Sequence, residues 1–337
     1  MTYGTTPRHR RTRTLTAVAI AIAGLVAPAA SGPSASAAMA SPCTPGATYG
    51  SPLPTRAVTS QLIRGGFNFL EGPTWDQRTG TLLLSNMQNP TGWQGVQPSA
   101  VLRFTPPATF ETFIADSGSN GLAVTPDGTR LLAATHDNRT VSAYSLTDRS
   151  RTTVAANYQG RAFNSPNDLT IGRDGTTYFT DPNFQRGNRT DEQNGRTSVF
   201  RVRDGVVSLV DDTLSQPNGV VLSPDGTTLY VGGSNSIVKY SVAADGSTGN
   251  RTTFASIQTP DGATIDCAGN LYWASYNEGL VHVFSPSGTR LGTISAGRNI
   301  TNAAFGGPDG RTLYITSGVN GSFGLYQVRL NVPGNPY

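Results

Sequence analysis

The sequence predicts an all-β chain folded as a six-bladed β-propeller, with four-stranded blades and a central metal site. Three observations carry that expectation. Six segments open on an oxygen-bearing side chain at one register: Glu71-Gly72, Asn120-Gly121, Asn167-Asp168, Asn218-Gly219, Asp261-Gly262 and Asn302-Ala303. Their starts lie 49, 47, 51, 43 and 41 residues apart, a period that marks a repeat architecture. Each segment then runs through apolar residues to a turn glycine and a second apolar strand. That glycine (Gly128, Gly175, Gly226, Gly269 or Gly310) lies eight residues on in five units; in the first unit Gly80 lies nine on. If the units form a ring, six oxygens meet near one axis, which is the geometry a hard cation needs.

Within a unit the pattern is strand, turn, strand. The clearest copy is Asn218-Gly-Val-Val-Leu-Ser-Pro-Asp-Gly-Thr-Thr-Leu-Tyr-Val. β-Branched and aromatic residues alternate around Pro-Asp-Gly, so it reads as a hairpin. Glycine supplies the positive φ at the turn and Asp caps it. After residue 40 no stretch keeps a helical period, and Gly or Pro interrupts nearly every apolar run. Each unit has room for about four strands, one propeller blade. A solenoid would need shorter, more uniform repeats, and a sandwich would not repeat one oxygen position. Either residues 58–62 or residues 323–330 complete the last blade. Ring closure removes exposed strand edges, and a monomer is expected.

The expected organisation is an export signal over residues 1–37, a tail over 38–57 and one propeller domain over 58–337. Arg8, Arg10, Arg11 and Arg13 form a basic start, residues 15–30 are apolar and small, and Ala35-Ser36-Ala37 is a cleavage site. Gly24 and Pro28 break the apolar run, which is too short to span a membrane. The Arg10-Arg11 pair leaves general and twin-arginine export both open. A secreted protein follows. Removing the segment takes four Arg and no acidic residue, leaving 21 basic against 21 acidic side chains. The basic pI of about 9.2 therefore belongs to the precursor. Neither nucleic acid nor an anionic membrane is an expected partner, because no basic stripe remains. Cys43 and Cys267 are the two cysteines. In an exported chain they are expected to form one disulfide, strapping the tail to the fifth blade.

Charge separates the six oxygen positions. Glu71 and Asp261 are carboxylates; Asn120, Asn167, Asn218 and Asn302 are amides. Such a set suits Ca²⁺, with Mg²⁺ or Mn²⁺ as alternatives. Zinc is disfavoured, since neither His136 nor His282 has a zinc-ligand spacing. The plainer reading is that Asn-Gly and Asp-Gly are turn dipeptides. It does not explain Glu71, which is no turn residue.

Several motifs then resemble one family in order. Phe69-Leu70-Glu71-Gly72-Pro73-Thr74-Trp75-Asp76 is similar to the opening motif of the gluconolactonase, senescence marker protein (regucalcin) and luciferin-regenerating enzyme family. Asn164-Ser165-Pro166-Asn167-Asp168-Leu169, with Tyr178-Phe179-Thr180-Asp181-Pro182 beyond it, resembles the bacterial gluconolactonase-like branch. Pro217-Asn218-Gly219, Pro260-Asp261-Gly262 and Thr301-Asn302-Ala303-Ala304-Phe305-Gly306-Gly307 follow in register. The resemblance runs from about residue 60 to the C-terminus and implies a six-bladed propeller with a divalent cation, usually Ca²⁺, in its central cavity. It implies Glu71, Asn167, Asn218 and Asp261 as metal ligands and Asp261 as candidate general base. Asn120 and Asn302 fall outside that ligand set and are expected to bind substrate or water. Arg161 and Asn164 fall where the family contacts substrate, and His136 is a further candidate contact. The chain departs from many relatives at Tyr230-Val231-Gly232-Gly233-Ser234, where an acid at the pocket rim is lost.

The implied reaction is metal-dependent hydrolysis of a lactone, in which a cation polarises the carbonyl and Asp261 takes a proton from the attacking water. The alternatives are a phosphotriesterase-type hydrolase and a ligand-binding propeller with a structural ion. There is no Gly-x-Ser-x-Gly elbow and no dinucleotide or phosphate glycine loop. Loops 86–100 and 181–196, with Trp93 and Phe184, are expected to set specificity. Their polarity points to a hydroxylated, sugar-like substrate.

Overall fold

The structure is a computed structural model that describes residues 1–4, 42–88, 96–189 and 195–335. Within the described residues, those from 42 onward belong to one compact unit. The expected export signal lies almost wholly outside the described residues.

Six sheets with a core of four antiparallel strands follow one another along the chain. Their innermost strands are Phe69–Asp76, Ser119–Val124, Leu169–Ile171, Pro217–Leu222, Pro260–Ile265 and Arg298–Gly306. Each blade is an up-and-down meander, as the hairpin pattern predicts. In the second blade Gly128 adopts φ 65° and its N–H donates to the Thr125 carbonyl at 2.7 Å. Asp127 accepts from the Thr129 N–H at 3.1 Å. The fourth blade repeats this at Gly226 and Asp225.

Closure uses both chain ends rather than one. Ser322–Arg329 is the third strand of the sixth blade, and Gln61–Phe67 pairs with it antiparallel as the fourth. Ala57–Thr59 instead runs parallel to Arg290–Ser295, adding a fifth strand to the fifth blade. Segment 58–62 is therefore split between two blades, and 323–330 is needed as well. A latch made from both termini satisfies two strand edges that either segment alone would leave open.

The seams between blades are filled by apolar side chains. Leu83 and Val101 of the first blade meet Leu122, Leu131 and Tyr144 of the second. Leu70, Leu82 and Phe104 of the first meet Tyr314 and Leu325 of the sixth. Each fully buried Leu contributes roughly 1.5–3 kcal/mol of transfer free energy, so the seams hold the ring rigid. Cys43 and Cys267 are joined, with Cα atoms 5.2 Å apart. The Cys267 N–H donates to the Pro333 carbonyl at 2.8 Å, and Asp266 bridges to Gly334. Both chain ends are thus tied to the fifth blade. Loop-closure entropy credits a crosslink of this span with roughly 5 kcal/mol.

The X-Gly dipeptides are not turns. They open the innermost strands, and all four of their glycines, Gly72, Gly121, Gly219 and Gly262, are required by close approach. A Cβ at Gly219 would stand 2.2 Å from the Asp261 carbonyl oxygen; one at Gly262 would stand 2.0 Å from the Asn302 side chain. The glycines let neighbouring blades touch around the axis, and this brings the oxygen residues together.

Candidate metal centre and pocket

Because every innermost strand starts at the same end of the ring, its first polar residue falls at the same height on the axis. Glu71, Asn167, Asn218 and Asp261 line one cavity of about 500 Å³. Glu71, Asn167 and Asp261 are buried; Asn218 is half-buried. Above them the wall is formed by Phe69, Phe184, Gln185, Gln216, Ser234, Thr259, Pro260 and Tyr276.

The other expected contacts lie elsewhere. Asn120 is buried beside the cavity, and its carbonyl accepts from Ser85 Oγ at 2.7 Å. Asn302 faces the opposite side of the central channel; its Nδ2 donates to Glu71 Oε2 at 3.4 Å. Asn164 is a structural strut, donating from its backbone N–H to Asp181 Oδ2 at 2.8 Å and from Nδ2 to the Asp181 carbonyl at 3.1 Å. Arg161 is exposed on the short strand Arg161–Ala162. His136 is fully buried, with Nε2 2.7 Å from the Gln97 carbonyl oxygen; burial drives its pKa down to about 4. None of these three lines the cavity. Phe184 does line it, whereas Trp93 lies outside the described residues.

Three carboxylates crowd the axis. Burial, and then the charge of Asp168, raises the Glu71 pKa to about 8. Burial raises Asp168 to about 7. Burial, then Glu71 and Asp168, pushes Asp261 well above the usual carboxylate range. Asp261 Oδ1 is buried with no hydrogen-bond partner. Among the described residues no three His, Cys, Asp or Glu side chains converge on one metal-holding point, so the amides must complete any coordination set. An all-oxygen set of this charge, with an orphaned carboxylate oxygen, fits a hard divalent cation.

The sequence reading missed Asp168, Gln185 and Tyr276. Asp168 carried a signal, since an acid stands where other units have Gly or Ala. Gln185 and Tyr276 lie in loops with no periodic cue. Gln185 Oε1 accepts from Asn120 Nδ2 at 3.4 Å and from Asn167 Nδ2 at 3.3 Å. With its Nδ2 held there, the Asn167 amide presents its oxygen elsewhere. Partners of this kind orient metal ligands, and losing them typically costs about tenfold or more in affinity. Were a cation held by Asn167, Gln185→Leu would be expected to weaken its binding about tenfold by calorimetry; an unchanged Kd would mean the amides hold their orientation without it.

Fold and site together define a class: six-bladed propellers with an acidic, oxygen-lined cavity on the ring axis. Residues 69–319 match the SMP-30/Gluconolactonase/LRE-like region, and the chain belongs to that family. It is 32% identical over 295 residues to a gluconolactonase of Zymomonas mobilis, covering 77% of this chain and 79% of that one. A solved Xanthomonas campestris structure described as a gluconolactonase is 28% identical with a TM-score of 0.67, covering 86% of this chain and 99% of that one. A calcium-binding regucalcin of Agrobacterium tumefaciens shares the fold, with TM-score 0.68 and 20% identity over 83% of this chain and 97% of that one.

Proposed function

We propose that this chain hydrolyses lactones at the Glu71, Asn167, Asn218 and Asp261 cavity, with Asp261 as general base. The observation that carries the reading is Asp261 itself: a buried carboxylate at the base of a substrate-sized cavity, one oxygen of which has no partner. Family membership supports the reaction class.

Glu71, Asn167, Asn218 and Asp261 would hold the cation, Ca²⁺ in our reading. When bound, it supplies a Lewis acid that stabilises negative charge on the carbonyl oxygen. The remaining work falls to the chain. The cavity walls seat the ring with its carbonyl toward the oxygen set and limit access of bulk water. Asp261 Oδ1 takes a proton as water adds to the carbonyl carbon. The ring C–O bond then breaks, and that proton passes to the departing ring oxygen, leaving a hydroxy acid. Burial lifts Asp261 toward the pH at which a base works best, while a bound cation lowers it again.

The N-terminal pattern and the disulfide support export of the mature, monomeric propeller after loss of residues 1–37. The test is hydrolysis of aldonolactones and simple γ- and δ-lactones by chelated protein, with and without added Ca²⁺. Turnover restored by the ion is expected. Tight Ca²⁺ binding without turnover of any lactone would overturn the reading in favour of a binding propeller.

A further inference from the structure

The seam between the second and third blades is bridged twice at the cavity end. Gln185 makes the first bridge. Its Oε1 accepts from Asn120 Nδ2 of the second blade at 3.4 Å and from Asn167 Nδ2, at the start of the third, at 3.3 Å. Arg189, four residues on, makes the second. Its Nη2 donates to the His136 carbonyl at 2.9 Å and its Nη1 to the Asp137 carbonyl at 3.4 Å, both in the second blade. The same guanidinium turns back on its own loop: Nε donates to the Arg186 carbonyl at 2.7 Å and Nη2 to the Gln185 carbonyl at 3.3 Å. One side chain therefore holds main-chain oxygens on both sides of the seam.

The second-blade side of this grip is itself fixed. The His136 N–H donates to the Gly118 carbonyl at 2.9 Å, and His136 Nε2 lies 2.7 Å from the Gln97 carbonyl oxygen. Arg151 forks onto the Asp137 carboxylate with bonds of 2.7 and 2.9 Å. Gly118 stands two residues before Asn120, so the platform that Arg189 grips also carries the Asn120 end of the amide bridge. A guanidinium suits this place because its planar fork presents five N–H donors at fixed angles. A lysine ammonium is a point charge and does not reproduce that fork. Gln185 has several rotatable bonds, so its oxygen stays between the two amides only if the main chain beneath it is held.

We propose that Arg189 is a positioning residue for the cavity. By fixing the Gln185 main chain against the second blade, it sets Gln185 Oε1 between the Asn120 and Asn167 amides and so fixes which way the Asn167 oxygen points. The inference rests on the cation reading only for its effect on the ion. The sign of that effect separates positioning from plain electrostatics. Arg189 is itself a cation, so removing its charge alone would favour a second cation nearby. Removing its grip would instead free both amides and weaken ion binding.

Arg189→Met keeps an unbranched chain and loses the donors; Arg189→Lys keeps the charge and loses the fork, and serves if the Met variant does not fold. Ca²⁺ binding to chelated protein, followed by calorimetry, is compared for wild type, both variants, Gln185→Leu and the Arg189→Met/Gln185→Leu double variant. Each Arg189 variant is expected to weaken binding about tenfold. Arg189→Met should add less than about twofold once Gln185 is replaced, because the two residues act through one bridge. An Arg189→Met Kd equal to or tighter than wild type, or the same fold-loss in both backgrounds, overturns the inference. Exchange of the Asn120 and Asn167 side-chain amide protons, followed by NMR in chelated protein, reads the positioning without the ion. Both should exchange faster in Arg189→Met, as they should in Gln185→Leu; unchanged protection overturns the inference whatever the ion does. A wild type that binds no Ca²⁺ overturns the cation reading, and faster exchange in Arg189→Met then still supports the positioning role.

Discussion

Asp261→Asn should lower kcat for lactone hydrolysis by about a thousandfold, within the range a positioned general base supplies. The substitution keeps shape and leaves an amide oxygen able to face the cavity, so it removes basicity and charge more than volume. Asp261 is also a proposed ligand, so the loss has two sources that a calcium titration can part. Glu71→Gln removes the other cavity-lining carboxylate while leaving Asp261 in place. Both variants are expected to bind Ca²⁺ more weakly. At saturating Ca²⁺, Glu71→Gln should recover much of its kcat, whereas Asp261→Asn should not. If Asp261→Asn at saturating ion keeps more than about a tenth of wild-type kcat, far above what loss of a general base allows, the base is another group. Glu71, the other carboxylate lining the cavity, would then be the first to examine; Asp168, the third carboxylate near the axis, is buried but lines the opposite side of the channel.

That third carboxylate shows where sequence reasoning stops. The ring was legible because it is periodic: a polar residue at a fixed offset from a turn glycine places Glu71, Asn167, Asn218 and Asp261 at one height. Their convergence needs no long-range information beyond the number of blades. What the repeat does not encode is which way a side chain leaves the axis. Asn302 occupies the repeat position yet turns to the far side of the channel, into space that Gly262 leaves open. Asp168 occupies the next position, beside Gly121. The turn reading of Asn-Gly and Asp-Gly failed for the same reason, since those glycines serve contacts between blades that are remote in sequence. Asn164 was read as a substrate contact from its motif, but the same motif supplies Asp181, whose carboxylate caps the Asn164 and Ser165 N–H groups. Substrate recognition was least legible. Loop composition suggested polarity, and the described loop residues that line the cavity are mixed: Gln185 and Gln216 beside Phe184 and Tyr276.

The crowding of acids at the axis has a consequence for stability that differs in sign from ordinary acid denaturation. Without a cation, burial raises the Glu71 pKa to about 8 and that of Asp168 to about 7, and away from the axis it raises Asp181 to about 7, against about 4 for unfolded carboxylates. A pKa raised by folding means the folded state holds protons that the unfolded state has released. Stability from these groups is complete below about pH 4 and is lost as pH rises through 7 and 8. His136 acts oppositely: its pKa is lowered to about 4, so its contribution is present above about pH 6.5 and lost as pH falls. The window from about pH 6.5 to 8 therefore isolates the carboxylates. There the Tm of chelated protein should fall as pH rises. At the proposed site Ca²⁺ would bind the ionised carboxylates and displace their protons, so its affinity should climb over the same window. At an ion concentration a hundred times Kd it adds about 2.7 kcal/mol. The Tm difference between calcium-loaded and chelated protein should then widen steadily from pH 6.5 to 8, measured by scanning calorimetry in matched buffers. A difference independent of pH would place the ion away from Glu71 and Asp261. A chelated Tm that rises across the window would mean that the axis acids are ionised and already compensated by the protein itself.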